Sequence, residues 1–363
     1  MSTKRIAVVF GTRPDAIKMA PIILHAAKIK GIEVIPISSG QHREMLTPVL
    51  ALFGIQPAYD AAVFEPGQSL DSLTGKIIER LGAFYDECKP DVVLVHGDTT
   101  TGFAASLAAF YRMIPIGHVE AGLRTASLTN PFPEEMNRRL IDKIAAYHFA
   151  PTESAQMNLV KEGITTSIIT GNTVVDALSF VRAKQLPLPK HLEDITTSQQ
   201  VILLTTHRRE NIGDGMVHIF QAVRTIIENH PNASVIFPIH LNAAVRTIAQ
   251  KELAHCPRVH IIEPLDYTEM VALLERVTLI MTDSGGLQEE APSFGKPVLI
   301  LRETTERPEV VAAGCAKLVG TDSEAIVKEA KKILDSPKNH LIAQNPYGQP
   351  GVSTRILEYI KNV

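Results

Sequence analysis

The tightest constraint on this chain is a series of short runs that are apolar, or nearly so, at every position. Ile6–Phe10, Val92–Val95, Ile116–Val119, Val201–Leu204, Ser234–Phe237, Val259–Ile262, Leu279–Met281 and Val298–Leu301 leave no face for solvent. Glu33–Ile37 and Ile168–Thr170 read as two further strands. Between these runs lie stretches with helical spacing: Asp15–Lys30, Ser69–Cys88, Thr99–Tyr111 and Glu134–Ala146. The last carries Met136, Leu140, Ile141 and Ile144 on one stripe. Strands buried on both sides and alternating with helices belong to parallel sheets covered on both faces. The predicted class is α/β, doubly wound.

At 363 residues the chain exceeds one ordinary core, so two domains are expected. The change of domain falls near Gly171–Ala177. Beyond it Arg182–Gln200, with Leu186-Pro187-Leu188-Pro189, has a linker's composition. The first domain is read as residues 1–172 and the second as 173–349. Ile356, Tyr359 and Ile360 give the tail, 350–363, an apolar face that would return it to the first domain. A net charge of −3 gives no general attraction to nucleic acid or anionic membrane. Cys88, Cys256 and Cys315 form neither a disulfide framework nor a zinc pattern. With no signal peptide and no apolar span of about 20 residues, a cytoplasmic protein is expected, with no membrane or nucleic-acid partner.

In open parallel sheets ligands bind beyond the carboxyl ends of the strands, and nearly every polar cluster here follows a strand. Thr282-Asp283-Ser284-Gly285-Gly286-Leu287-Gln288-Glu289-Glu290 passes from a buried strand into a helix. Backbone N–H groups at that turn would meet a diphosphate, and Glu289 and Glu290 would lie within reach of a ribose. Thr206-His207-Arg208-Arg209-Glu210 and Arg302–Glu309, including Arg307, supply cations suited to phosphate. His240, after the next strand, reads equally well as a structural histidine.

In the first half, Gly11-Thr12-Arg13-Pro14-Asp15-Ala16-Ile17-Lys18 places Arg13 and Lys18 at a helix start. His96-Gly97-Asp98, His118-Val119-Glu120 and Pro133-Glu134-Glu135 each place a carboxylate after a strand or at a helix start. The plain alternatives are a helix cap for Asp98, an ion pair with Arg124 for Glu120 and dipole stabilisation for Glu134. Three carboxylates around one crevice make a general acid–base set. Neither Gly-x-Gly-x-x-Gly nor Gly-x4-Gly-Lys occurs, so no nicotinamide and no ATP-type phosphate loop are expected. Together these features suggest a nucleotide-sugar enzyme, and two reaction classes fit: transfer of the sugar to an acceptor, or isomerisation of the sugar in place.

These motifs, with Gly40-Gln41-His42-Arg43-Glu44-Met45-Leu46 and Gly171-Asn172-Thr173 in the same order, closely resemble the bacterial non-hydrolysing UDP-N-acetylglucosamine 2-epimerases over essentially the whole chain. The resemblance implies a GT-B-like fold: two Rossmann-type domains with the active site in a cleft, the C-terminal helix completing the first. It implies a homodimer that interconverts UDP-GlcNAc and UDP-ManNAc without cofactor or metal, supplying ManNAc for surface polysaccharide. The implied route expels UDP to a 2-acetamidoglucal and adds it back.

Carried over by motif, Asp98, Glu120, Glu134 and His207 are the catalytic candidates. Arg13, Lys18, Ser284, Gly285, Gly286 and Arg307 would hold the diphosphate and sugar, Glu290 the ribose, and Leu265 and Met270 the uracil. Gln41, Glu44, Gln68, Arg208 and His240 match a second UDP-GlcNAc site found in allosterically activated members. Asp15 stands where the family commonly has Glu, Glu44 where Gln is frequent, and Gly67 where activated members carry Arg.

Overall fold

The computed structural model describes residues 3–197, 199–337 and 344–363; Ser198, in the stretch read as a linker, lies outside them. The chain divides into two compact units. Unit 1 takes Met1–Ala177 with Tyr347–Val363, and unit 2 takes Leu178–Pro346.

Unit 1 is built on β1 (Lys4–Phe10), β2 (Ile32–Ser38), β3 (Tyr59–Asp60), β4 (Val92–His96), β5 (Ile116–Val119), β6 (Tyr147–Ala150) and β7 (Ser167–Ile169). The seven strands form one parallel sheet in the order β3-β2-β1-β4-β5-β6-β7. The alternation within β1 shows why its sequence is apolar from Ile6 to Phe10. Ala7 and Val9 pack on one face with Val93, Val95, Ile77, Leu81 and Ala104. Ile6 and Val8 pack on the other with Leu94, Met19 and Ile22. That second face is also covered by Ile356, Leu357 and Ile360 of the C-terminal helix Val352–Asn362, and Tyr359 meets Phe149 edge-on at 5.8 Å.

The observed division falls five residues beyond residue 172, inside the helix Val174–Ala183. The start of that helix is tied to unit 1 by Asp176. Its two carboxylate oxygens accept from the Gly351 and Ser353 amides at 2.6 and 2.7 Å, capping the C-terminal helix. The stretch Arg182–Gln200 is not a plain linker either. It holds a short helix, Lys190–Glu193, because Leu188 and Leu192 are buried and anchor it.

Unit 2 comprises β8 (Gln200–Thr205), β9 (Ala233–Pro238), β10 (Val259–Ile262), β11 (Leu279–Thr282), β12 (Val298–Ile300) and β13 (Ala316–Leu318), parallel in the order β10-β9-β8-β11-β12-β13. One face packs Ile202, Leu204, Val235 and Phe237 against the helix Asp214–Asn229 through Ile219, Phe220 and Val223.

Each sheet reverses its winding once, between β1 and β4 in unit 1 and between β8 and β11 in unit 2. The crevice at the carboxyl ends of those strand pairs is where a doubly wound sheet receives ligands.

Candidate active site

In unit 1 the turn after β1 runs straight into the helix Arg13–Ala26, capped by Thr12. A side chain at Gly11 would collide with the Thr101 and Ser39 hydroxyls, so only glycine lets the chain turn here. Asp15 is buried and closes the turn: its Oδ2 accepts from the Gly11 and Thr12 amides at 3.3 and 3.2 Å and from Thr99 Oγ1 at 3.1 Å. Its Oδ1 lies 3.3 Å from His96 Nδ1, across the β1/β4 reversal.

One turn along that helix, Lys18 is buried and paired with Glu120. Asn172 Nδ2 donates to the same carboxylate oxygen, Oε2, at 2.9 Å, and His96 Nε2 lies 3.4 Å from it. Glu120 follows β5 with φ +67°, a left-handed conformation that costs a side-chain-bearing residue roughly 1–2 kcal/mol. Such strain persists where surrounding contacts over-determine it. His96, Asp15 and Asn172 received no role from the sequence, although all three stand inside the quoted motifs. The signal available was placement: His96 closes β4 beside β5, one strand end from Glu120.

The simple pairing of Glu120 with Arg124 is not what forms. Arg124 turns the other way, to Asp142 at 2.8 Å and in a two-pronged contact to Glu162 at 2.7 and 2.9 Å. The reason lies in the backbone: the turn at Glu120 and Gly122, both at positive φ, sends the two side chains apart. Asp98 is not the helix cap; Thr99 Oγ1 caps by accepting from the Gly102 amide. Asp98 is thereby released for Arg138, whose Nη2 donates to its Oδ2 at 2.5 Å, while Asn137 holds its carbonyl at 2.9 Å. Glu134 is half-buried at the start of the helix Glu134–Ile144. Its neighbour Glu135 is the buried member, bonded to Arg138, Arg139 and the Thr125 amide.

In unit 2 the organising group is Asp283, fully buried after β11. Its Oδ2 accepts from Thr206 Oγ1, the His207 amide and the Arg208 amide at 2.9 Å each, and from Asn211 at 3.0 Å. That one carboxylate shapes the turn after β8. It also lies 3.4 Å from His207 Nδ1, so the histidine's other nitrogen is left for chemistry. Burial lowers the His207 pKa; the Asp283 charge opposes this, while Arg208 and His240 reinforce it. His240, exposed, stacks on His207 with ring centres 5.0 Å apart.

Ser284 precedes the helix Gly285–Glu290, which is only six residues long before a 3-10 turn, Ala291–Phe294. Arg307 crosses its start: a Cβ at Gly285 would stand 2.7 Å from the guanidinium. Glu289, read from sequence as facing the ribose, is instead buried on Arg307, whose Nε donates to it at 2.6 Å. Glu290 is half-buried. Glu306 lies between Arg302 and Arg307; burial works against its charge, but the two guanidiniums hold its carboxyl down at about 2. Gly286 is exposed, Leu265 is buried and Met270 is half-buried on the helix Tyr267–Arg276.

Gln41 is already engaged with Thr101, accepting from its hydroxyl at 2.7 Å. Gln68 Oε1 is buried without a hydrogen-bond partner among the described residues. Arg13 and Arg208 are half-buried and Glu44 is exposed. Among the described residues no group of His, Cys, Asp and Glu is placed to hold a metal ion, and no helix is long and apolar enough to cross a membrane.

Comparison with known proteins completes the picture. Residues 25–361 match the family model described as UDP-N-acetylglucosamine 2-epimerase. The UDP-N-acetylglucosamine 2-epimerase of Escherichia coli K12 is 47% identical over 99% of this chain and 98% of its own length. That of Bacillus subtilis is also 47% identical, over 99% of this chain and 95% of its own. The crystal structure of UDP-GlcNAc 2-epimerase from Neisseria meningitidis bound to UDP-GlcNAc superposes with a TM-score of 0.90, at 45% identity, covering 99% of this chain and 100% of that one.

Proposed function

The chain belongs to the UDP-N-acetylglucosamine 2-epimerase family, with the GT-B-like pair of doubly wound domains, and from that premise we propose how it interconverts UDP-GlcNAc and UDP-ManNAc. The hydrogen at C2 of the sugar is not acidic, so direct inversion has no route. Breaking C2–H and C1–O together, with a C1=C2 double bond forming, expels UDP and leaves 2-acetamidoglucal. Return of a proton to C2 from the opposite face, with UDP rejoining C1, gives the epimer. Nothing is oxidised or reduced overall, and no cofactor enters.

The observation that carries this reading is the Glu120 cluster: a carboxylate held in strained backbone, after β5, by Lys18 and Asn172. Asp98, Glu120 and Glu134 share the proton transfers, a task that needs carboxylates of different surroundings. Asp98 on Arg138, Glu120 on Lys18 and the half-buried Glu134 are three different surroundings. Unit 2 holds the leaving group: Ser284, Gly285 and Gly286 with Arg307 bind the diphosphate, and His207 serves as a proton acceptor; Arg13 and Lys18 of unit 1 contribute further positive charge. Glu290 takes the ribose and Leu265 with Met270 the uracil. Gln41, Glu44, Gln68, Arg208 and His240 form a second UDP-GlcNAc site; the unpartnered Gln68 carbonyl supports it. The active form is a cytoplasmic homodimer whose product feeds surface polysaccharide synthesis.

The test is NMR of UDP-GlcNAc with the enzyme in D2O. UDP-ManNAc bearing deuterium at C2, with no added cofactor, is the expected result. Product without label would rule out proton exchange at C2, and free ManNAc would make the enzyme a hydrolysing one.

A further inference from the structure

His96 has no part in the route above, yet it is 5% exposed and wedged between two carboxylates. Its Nδ1 is 3.3 Å from Asp15 Oδ1 and its Nε2 is 3.4 Å from Glu120 Oε2. A neutral imidazole hydrogen-bonded to Asp15 through Nδ1–H would turn a lone pair to Glu120; an imidazolium keeps that bond and meets Glu120 with an ionic contact, Nε2 completing no hydrogen bond. Burial opposes that charge, but the Glu120 charge and the hydrogen bond to Asp15 outweigh it and lift the pKa to about 9.

Asp15 is an anchor that cannot swing away, since two backbone amides and the Thr99 hydroxyl hold its other oxygen. The remaining charged neighbours are few. Lys18, from the same helix as Asp15, meets Glu120 on the same oxygen. On β5, His118 is turned to Asp142 and the Gly97 carbonyl. The helix Thr100–Phe110 has no charged residue, and the charged residues of β1, Lys4 and Arg5, stand at its far end.

We infer that His96 is a positioning residue: anchored on Asp15, its imidazolium clamps the Glu120 carboxylate in its left-handed turn and favours its charged form. The inference rests on the acid–base role given to Glu120. Lys18 and Asn172 converge on the Glu120 oxygen that His96 faces. The role is distinct from packing, because a neutral side chain of similar size would fill the space without supplying the charge.

The experiment compares the intact enzyme with His96→Gln, reading kcat, KM, the UDP dissociation constant and the pH profile of kcat. Gln keeps an amide donor but no charge. Turnover should fall at least about tenfold with UDP affinity unchanged. The limb that reports Glu120 should move to higher pH by about one unit, as expected when a neighbouring opposite charge is removed. An unchanged pH profile with only a lower melting temperature would reduce His96 to packing and overturn the inference. Should His96→Gln fail to fold, the His96 imidazole of the unaltered protein can be titrated by NMR: a midpoint well above 6.5 upholds the imidazolium, and one below it removes the clamp's charge. If the unaltered enzyme places no deuterium at C2, the reading of Glu120 itself fails, whatever His96 does.

Discussion

The two sheets solve the same problem in mirror fashion. At the β1/β4 reversal an aspartate after the first strand faces a histidine at the end of the fourth: Asp15 and His96, 3.3 Å apart. At the β8/β11 reversal the order is inverted: His207 follows the first strand and Asp283 the fourth, 3.4 Å apart. The surroundings then drive the pairs in opposite directions. His96, enclosed by carboxylates, is pushed up to about 9, whereas burial pushes His207 down. In unit 1 side chains clamp side chains, and the product is a fixed charge array. In unit 2 a buried aspartate gathers backbone amides and shapes a loop, leaving His207 neutral at physiological pH. The first suits a fixed acid–base carboxylate, and the second suits a proton acceptor: with Nδ1–H turned to Asp283, the neutral ring presents the Nε2 lone pair.

The comparison breaks most sharply at Glu120. Glu120→Gln keeps the shape and removes the charge, so kcat should fall by about a thousandfold or more while UDP binding, to which Glu120 itself contributes nothing, holds. Titration calorimetry with UDP beside the D2O assay separates the two effects. A collapse in UDP affinity would place Glu120 in nucleotide binding instead.

The counterpart in unit 2 is Asp283→Ala, which orphans four donors at once. Each buried donor left unsatisfied costs about 1–3 kcal/mol. The expected outcome in urea unfolding is a loss of several kcal/mol together with loss of UDP binding. Here affinity and stability fall together, where Glu120→Gln leaves UDP affinity in place. Retained affinity at reduced stability would mean the His207 turn is not part of the nucleotide site.

Smaller is the effect expected at Gly285. A Cβ there would press on the Arg307 guanidinium, and overpacking of this kind costs about 1–3 kcal/mol. Gly285→Ala should weaken UDP binding by about tenfold with kcat on saturating substrate nearly unchanged, a KM effect against the kcat effect of Glu120→Gln.

How far the sequence alone reaches is visible in the same residues. Strands β1, β4 and β8 are legible because both faces are buried and every position of Ile6–Phe10, Val92–Val95 and Val201–Leu204 is apolar. The helix Arg43–Phe53 is not, since Pro48 sits inside it and reads as a breaker. Strand β6 is hidden by Tyr147 and His148, the latter made tolerable in the core by its hydrogen bond to the Asp142 carbonyl at 2.8 Å. In the site, residue types after strand ends were readable, but partners were not. Thr99 rather than Asp98 caps its helix, and Asp142 rather than Glu120 receives Arg124, because backbone turns at single residues decide which way a side chain leaves the strand. Asp15, His96 and Asp283 carry no local signal for the same reason: their importance lies in contacts between loops 72 to 84 positions apart in the chain.

The smallest expected effect tests the histidine contrast itself. His240 stacks on His207 at an interplanar angle of 14° and its charge is one of the forces holding the His207 pKa down, behind burial and the charge of Arg208. In His240→Ala that repulsion disappears, and the freed face also admits water, which weakens the burial penalty on the imidazolium. Both changes act in one direction: the His207 midpoint, below 6.5 in the unaltered protein, should rise. NMR titration of the imidazole resonances checks the sign, and kcat at pH 7 should fall only about two- to fivefold as a larger share of His207 is protonated. His96, walled in by Asp15 and Glu120 of its own unit, should keep its midpoint in the same spectra. If His207 instead moved down, Asp283 would have been losing its hold on Nδ1, and the His240 ring would be serving the Asp283 contact rather than opposing the charge.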